Sequence, residues 1–290
     1  MTPPSGSSRP SRTARAAALG RAVGYAGHRD DLAEQLLPWR DAALARRLRY
    51  RVDGAGRQGR FLRPTTAVLA AHTTLRMAVI DDLVRDAVAD GADQVVVLGA
   101  GLDTRAWRLP ELATTRVLEL DLPEIQSGKQ LRLGGTPARA EEVRFVPVDF
   151  HTADLDRVLA DAGHQAHEPT IWLWEGVTMY LDEPSVRATL EALAGRSAAG
   201  SRLAMTFAVP ALLGDSGPGR ILSPGARAAF DLLGEPLRTL MTAADVRMLL
   251  RDVGVEDLVL SDFAAWAATL GVDPPRNPLA AEHLAVATWH

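Results

Sequence analysis

Five short apolar runs, each closing on a glycine or an acid or leading into a loop, constrain this chain more than any other feature. Gln94–Leu98 (QVVVL) leads into Gly99-Ala100-Gly101. Arg116–Leu120 (RVLEL) ends at Asp121, Arg144–Val148 (RFVPV) at Asp149, and Thr170–Trp174 (TIWLW) at Glu175. Arg202–Phe207 (RLAMTF) is the fifth run, and Val255–Leu260 and His283–Trp289 supply two more. Runs this short that stay apolar without alternating polar positions suit strands buried on both faces. Helical periodicity separates most of them, as in Ser185–Ala194 and Ala243–Val253, and over Pro64–Ala89 apolar residues recur at Val68, Leu69, Leu75, Val79, Leu83 and Val88. Strands alternating with helices imply an α/β fold: a seven-stranded, mostly parallel sheet with helices on both faces.

Composition narrows the function classes. The net charge of −4 gives no basic field for nucleic acid, and the lack of cysteine excludes disulfides and thiolate metal sites. No apolar stretch approaches the roughly 18 residues of a membrane span. No His/Asp/Glu cluster has metal-ligand spacing, and no Gly-x-Ser-x-Gly elbow is present. These features lead us to expect a cytoplasmic protein, monomer or homodimer, that engages neither membrane nor nucleic acid. Residues 1–12 read as a disordered tail rich in Ser, Pro and Arg, 13–63 as an N-terminal helical cap, and 64–290 as the main domain. Within it, 209–235 interrupts the strand–helix rhythm with Gly and Pro and reads as a lid or substrate-side insertion. The run RRLRYR at 46–51 reads as a solvated helix face, with an acidic-substrate site as the sharper alternative.

In open α/β sheets, ligands sit at the carboxyl ends of the strands. Glycines at 99 and 101 let the backbone turn sharply and approach a ligand. A dinucleotide fingerprint wants a third glycine at 104, where Thr104 stands, and the Gly-Lys-Ser/Thr of a phosphate loop is also missing. The turn therefore suits an uncharged or zwitterionic group better than a pyrophosphate. A nicotinamide oxidoreductase, which shares the layout, is disfavoured on the same ground. A carboxylate at Asp121 can accept from both hydroxyls of a ribose. Its structural alternative is a helix N-cap before Pro123. Asp149 is placed to accept from an adenine amino group, or else to cap a helix or pair with a cation. Glu119 lies on the same strand face as Asp121 and has no evident role.

The segments VVVLGAGLDTRAWRL, VLELDLPEIQSGKQ, FVPVDF and WLWEGVTMYL, in this order and spacing, resemble the leucine carboxyl methyltransferase family, a branch of the class I S-adenosylmethionine (SAM) methyltransferases. LRMAVIDDLV and GEPLRTLMTAADVRMLLRDVGV extend the resemblance over roughly residues 60–260. It implies a Rossmann-like class I methyltransferase fold. It also implies SAM as cofactor, with S-adenosylhomocysteine (SAH) as product, and O-methylation of a carboxylate or hydroxyl on a small-molecule acceptor in bacterial secondary metabolism. Carried over, Gly99 and Gly101 would border the methionine part of SAM and Arg76 would pair with its carboxylate. Asp121 would hold the ribose, Asp149 the adenine amino group with Phe150 beside the ring, and Glu175 would lie near the SAM amino group. Met179 and Tyr180 would line the same cleft.

A carboxylate acceptor is nucleophilic when ionised and needs no base, whereas a hydroxyl needs help in losing its proton. Candidate bases are His151, Tyr180, His28 and His72. His151 ranks first because it follows Asp149-Phe150, although a histidine's ordinary reading is a surface or core-edge side chain. Trp172 and Trp174 read as core. A SAM-binding protein that catalyses another reaction, or only binds, is the competing reading.

Overall fold

A computed structural model of the protein describes residues 11–53, 64–210, 236–273 and 282–290. Its centre is a seven-stranded sheet: β1 (Gln94–Leu98), β2 (Arg116–Asp121), β3 (Glu142–Pro147), β4 (Thr170–Trp174), β5 (Arg202–Ala208), β6 (Asp257–Ser261) and β7 (Glu282–Thr288). The strand order is β3-β2-β1-β4-β5-β7-β6. The first five strands run parallel, and β7 is antiparallel to both β5 and β6. The expected seven-stranded, mostly parallel sheet is therefore present, and its order reverses beside β1, between β1 and β4. That is the switch point where open α/β sheets bind ligands.

Side-chain alternation along the strands divides the core in two. Val95, Val97, Val117, Ile171 and Leu173 face one side. There they pack with helices α1 (Arg12–Val23), α4 (Pro64–Ala89) and α10 (Phe263–Thr269) through Ala18, Ala22, Leu75, Ile80 and Trp266. Val96, Leu98, Leu118, Leu120, Trp172 and Trp174 face the other side. Helices α8 (Glu183–Gly195) and α9 (Ala243–Asp252) cover them with Val186, Leu190, Leu193, Val246 and Leu250. Because both faces are covered, the central strands are apolar throughout rather than alternating. Trp172 and Trp174 are fully buried, as their core reading expects.

At the N-terminus, α1 is followed by α2 (Asp31–Leu36) and α3 (Trp39–Asp53). Ser11 caps α1 by accepting from the Ala14 N–H at 3.0 Å, so ordered structure begins inside the stretch read as tail. Residues 1–10 lie outside the described residues, as do 54–63 and 211–235, which hold most of the expected insertion. On the RRLRYR face Arg46 and Arg47 are exposed, in line with the solvated reading, whereas Arg49 is half-buried. Arg46 and Arg49 reach Glu34 on α2 at 3.0 and 2.9 Å, and Arg49 also donates to the Ala22 carbonyl. They tie α3 to α1 and α2.

Candidate active site

A cavity of about 570 Å³ opens along the carboxyl edge of the parallel strands. That volume falls in the ordinary range of small-molecule sites. Its floor is the turn after β1. Gly99 and Gly101 both have positive φ, +68° and +47°. A Cβ on Gly99 would stand 2.4 Å from Val177 Cγ2, so sterics as well as conformation demand glycine there. The Gly99 and Ala100 N–H groups donate to the Leu120 carbonyl at 2.8 and 3.0 Å, which docks the turn against the end of β2.

Asp121 closes that turn. Its Oδ2 accepts from the Gly101 N–H at 2.6 Å and its Oδ1 from the Leu122 N–H at 2.7 Å. It is not the N-cap of α6 (Pro123–Leu133); Leu122 holds that position, with Pro123 first in the helix. A carboxylate has about four lone-pair sites, so Asp121 keeps acceptor capacity toward the cavity it lines. Burial raises its pKa, against the pull of those two N–H donors. Asp149 and Phe150 line the cavity beyond β3, where Asp149 accepts from the His151 backbone N–H at 3.0 Å. His151 itself is exposed at this end. Tyr180 and Met179 sit in the short helical turn after β4, with Met179, Ala208 and Leu237 forming a small apolar cluster.

Glu175 and Arg76 lie at the heart of a buried ion network. Arg76 Nε donates to Glu175 Oε1 at 2.8 Å, and its Nη1 reaches Glu282, the first residue of β7. Arg105 Nη2 donates to Glu175 Oε2 at 3.0 Å, and the same guanidinium holds Asp81 at 2.8 Å and Asp103. Arg108 bonds Asp81 as well, at 2.7 Å. Burial alone would raise both glutamates. Arg76 and Arg105 override it for Glu175, which is held well below its ordinary range, and Arg76 with His72 brings Glu282 down to about 2. His72 Nε2 lies 2.8 Å from Glu282 Oε2, and the imidazole packs against the rings of Phe263 and Trp266.

Thr104, where a third glycine would stand in a dinucleotide site, has a definite role here. Its hydroxyl donates to Asp30 Oδ2 at 2.7 Å and accepts from Arg108 Nε at 3.0 Å. Asp30 is fully buried, caps α2 through the Ala33 N–H, and also binds Arg21, whose Nη2 reaches the Leu102 carbonyl at 2.7 Å. The glycine turn is thereby fastened to the N-terminal helices, and Ala14 and Ala17 of α1 line the cavity above it. Glu119 also finds its place. It pairs with Lys129 at 2.5 Å, both side chains about 1% exposed, and the ammonium lies 5.1 Å from the centroid of the Trp107 ring.

Every site residue expected from the sequence therefore reaches one cavity: Arg76, Gly99, Gly101, Asp121, Asp149, Phe150, His151, Glu175 and Tyr180. Of the other two histidines considered, His72 lines it, whereas His28 pairs through its backbone with Tyr25 away from it. Sequence reasoning missed Glu282, Asp30, Asp81 and the bonding role of Thr104.

The sequence model of the leucine carboxyl methyltransferase family matches residues 12–194, more than half of the chain. The chain belongs to the leucine carboxyl methyltransferase family. Similar family relatives include proteins provisionally named S-adenosyl-L-methionine-dependent methyltransferases. One from Frankia alni is 41% identical over 141 residues, 48% of this chain and 49% of that protein. One from Streptomyces coelicolor is 36% identical over 164 residues, 56% of each. The chain thus spans about half the length of the curated relatives it matches. Among solved structures, a DUF574-family protein of Streptomyces avermitilis aligns with TM-score 0.59 and 16% identity over 97% of this chain and 98% of its own. A provisionally assigned methyltransferase of Thermobifida fusca aligns at 0.56 and 19% over 99% and 98%. At such identity the likeness concerns the fold alone, and that fold is the α/β sheet described above.

Proposed function

We propose that the protein is a SAM-dependent O-methyltransferase acting on a carboxylate or hydroxyl of a small molecule in bacterial secondary metabolism. One observation carries the reading. A glycine turn, held by Asp121, shares a single cavity with Asp149 and Glu175 at the switch point of a sheet in a chain of this family. The donor set suits SAM: acceptor oxygens at Asp121 and Asp149 for ribose hydroxyls and an adenine amino group, Phe150 for the ring, and the Gly99–Gly101 backbone for the close approach of the methionine part. The edge offers no lysine of the phosphate-loop kind.

In this reading Asp121 holds the ribose and Asp149 with Phe150 the adenine. Glu175 fronts the SAM ammonium, and Arg76 fronts the carboxylate while staying bonded to its two glutamates. Bound SAM supplies an activated methyl group on a sulfonium, so the protein's task is chiefly positioning and electrostatics. The ion network serves that task, because Glu175 is locked by two arginines and cannot swing with the ligand. Of the two side chains first considered for proton transfer, Tyr180 lines the cavity from the turn after β4, beside Met179, and His151 lines it from beyond β3.

Calorimetric titration with SAM and SAH, with NADH as control, tests the reading. Micromolar binding of either SAM species and none of NADH is expected. NADH binding without SAM binding would return the nicotinamide alternative, and no binding of any of the three would remove the proposal's support.

A further inference from the structure

Two residues before Asp121 on β2, Glu119 forms a buried ion pair with Lys129 of α6. Lys129 Nζ lies 2.5 Å from Glu119 Oε2, and both side chains are about 1% exposed. The Trp107 ring lies 5.1 Å from the ammonium, and Phe145, opposite Glu119 on β3, packs against that ring at 6.0 Å. Gln126, one turn before Lys129, donates to the Glu119 and Val146 carbonyls at 2.7 and 2.9 Å and ties α6 to β2 and β3. Two ions sealed from water in this way add little to stability, and apolar residues of similar volume often do as well or better. Glu119 Oε1 moreover has no hydrogen-bond partner among the described residues. Stability therefore does not account for the pair, but the carboxylates around it do.

Strand alternation puts Glu119 and Asp121 on one face of β2. Burial raises the pKa of Asp121. The Gly101 and Leu122 N–H groups pull it down, the Lys129 ammonium pulls the same way, and Glu124 pushes it up. Asp103, which also lines the cavity, is raised by burial, but Arg105 and Lys129 bring it below its ordinary value. The same Asp103 holds Arg105, which holds Glu175. Asp149, across on the β3 side, lines the cavity and accepts from the His151 N–H. One buried ammonium thus acts on two carboxylates of the cavity. The ionisation matters for a ribose, because a carboxylate is acceptor-only when charged and turns one oxygen into a donor when protonated.

We propose, resting on the SAM-methyltransferase reading, that Lys129 is a positioning residue for the cofactor: its sealed ammonium holds Asp121 in the acceptor form that the ribose hydroxyls need. Glu119 keeps that ammonium in place. Burial, against the pull of Lys129, raises Glu119 to about 7. As pH falls through that value Glu119 takes up a proton and leaves the charge of Lys129 unopposed beside Asp121. The pair therefore resists protonation of Asp121 in mild acid.

The test is calorimetric titration with SAH from about pH 8 to about pH 5 in unmodified protein, Lys129→Met, Glu119→Gln and the double variant. Without the ammonium Asp121 protonates at higher pH, so across this range Lys129→Met should lose about fivefold more affinity than unmodified protein. Glu119→Gln keeps the ammonium and should lose no more than unmodified protein. The double variant replaces the ions with a neutral pair, which spares it a lone buried charge, and should keep the acid loss of Lys129→Met. If Lys129→Met does not fold, the double variant carries the comparison. A purely structural role predicts another pattern: both single variants weakened alike at every pH, and the double variant restored. That pattern, or the unmodified profile in folded Lys129→Met or in the double variant, would overturn the proposal. SAH goes first into unmodified protein. No binding there removes the methyltransferase reading and the proposal with it, whereas binding with an overturning profile removes the proposal alone.

Discussion

Gly99 combines φ +68° with a neighbour, Val177 Cγ2, that a Cβ would meet at 2.4 Å. Gly99→Ala should therefore lose about 1–3 kcal/mol in urea unfolding, from left-handed strain and overpacking together. Val177→Ala in the same chain should restore the packing share but not the conformational one. Full recovery in the double variant would show that strain contributes nothing. Asp121 carries a different kind of weight, since it both orders the turn and faces the cavity. Asp121→Ala in folded protein should weaken SAM binding at least about tenfold, or about 1.4 kcal/mol, by calorimetry. Unchanged affinity would refute its ribose role. The two strand-end residues were visible as letters in the sequence. That Asp121 spends two lone pairs on backbone N–H groups, instead of capping α6, depends on the turn curling back over β2.

At the scale of elements, Asp30 is the junction between the N-terminal helices and the glycine turn. It caps α2 and meets Thr104 and Arg21 while fully buried. Asp30→Ala leaves the buried Arg21 guanidinium without its carboxylate, so it should cost about 3–5 kcal/mol, the range for breaking a buried ion pair. Thr104→Val removes one hydroxyl and should cost about 1–3 kcal/mol. Hydrogen exchange should show the loss first in α1 and α2 and last in β1 and β4 (equal loss in helices and sheet would mean that the cap and the sheet unfold as one unit). Read along the chain, Thr104 was only a missing glycine. The hydroxyl acquires meaning because Asp30 lies 74 residues away in sequence and 2.7 Å away in space. Periodicity sees helices and strands, but it is blind to bonds between them.

For the molecule as a whole, buried titratable groups set the pH dependence of stability. His164 is buried beside Arg196, which donates to its Nδ1 at 3.3 Å, and burial followed by that positive charge lowers its pKa from 6.5 to about 4. The folded protein thus binds fewer protons than the unfolded chain between those values, so stability falls as pH drops from 6.5 to 4. Glu282, at about 2 against 4.5, adds a loss at lower pH, from 4.5 downward. Glu119 has the opposite sign. Burial raises it to about 7 against the pull of Lys129, so its contribution declines as pH rises from 4.5 toward 7. Between pH 6.5 and 4.5 the His164 and Glu119 contributions oppose each other, so melting temperatures should fall chiefly below 4.5, where Glu282 adds its loss, and His164→Gln should turn the slope between pH 6.5 and 4 toward greater stability in acid. An unchanged slope in that variant would place the acid sensitivity elsewhere.

The sequence by itself determined the strands, the helices between them and the three acids at strand ends, because burial on both sheet faces leaves an unbroken apolar signature and glycine marks the turn. Helix α4 begins and ends where periodicity puts it, at Pro64 and Ala89, and β1 and β4 match their apolar runs. Strand β7 shows what only the tertiary structure decided. A rule that looks for acids after a strand passes over Glu282, which opens one. Because β7 runs antiparallel to β5, with Glu282 opposite Ala208, its first residue arrives at the same edge as the last residues of the parallel strands. Strand direction and long-range pairing are settled by packing across the whole sheet, so the ion network around Arg76 follows from the fold rather than from any local stretch of sequence.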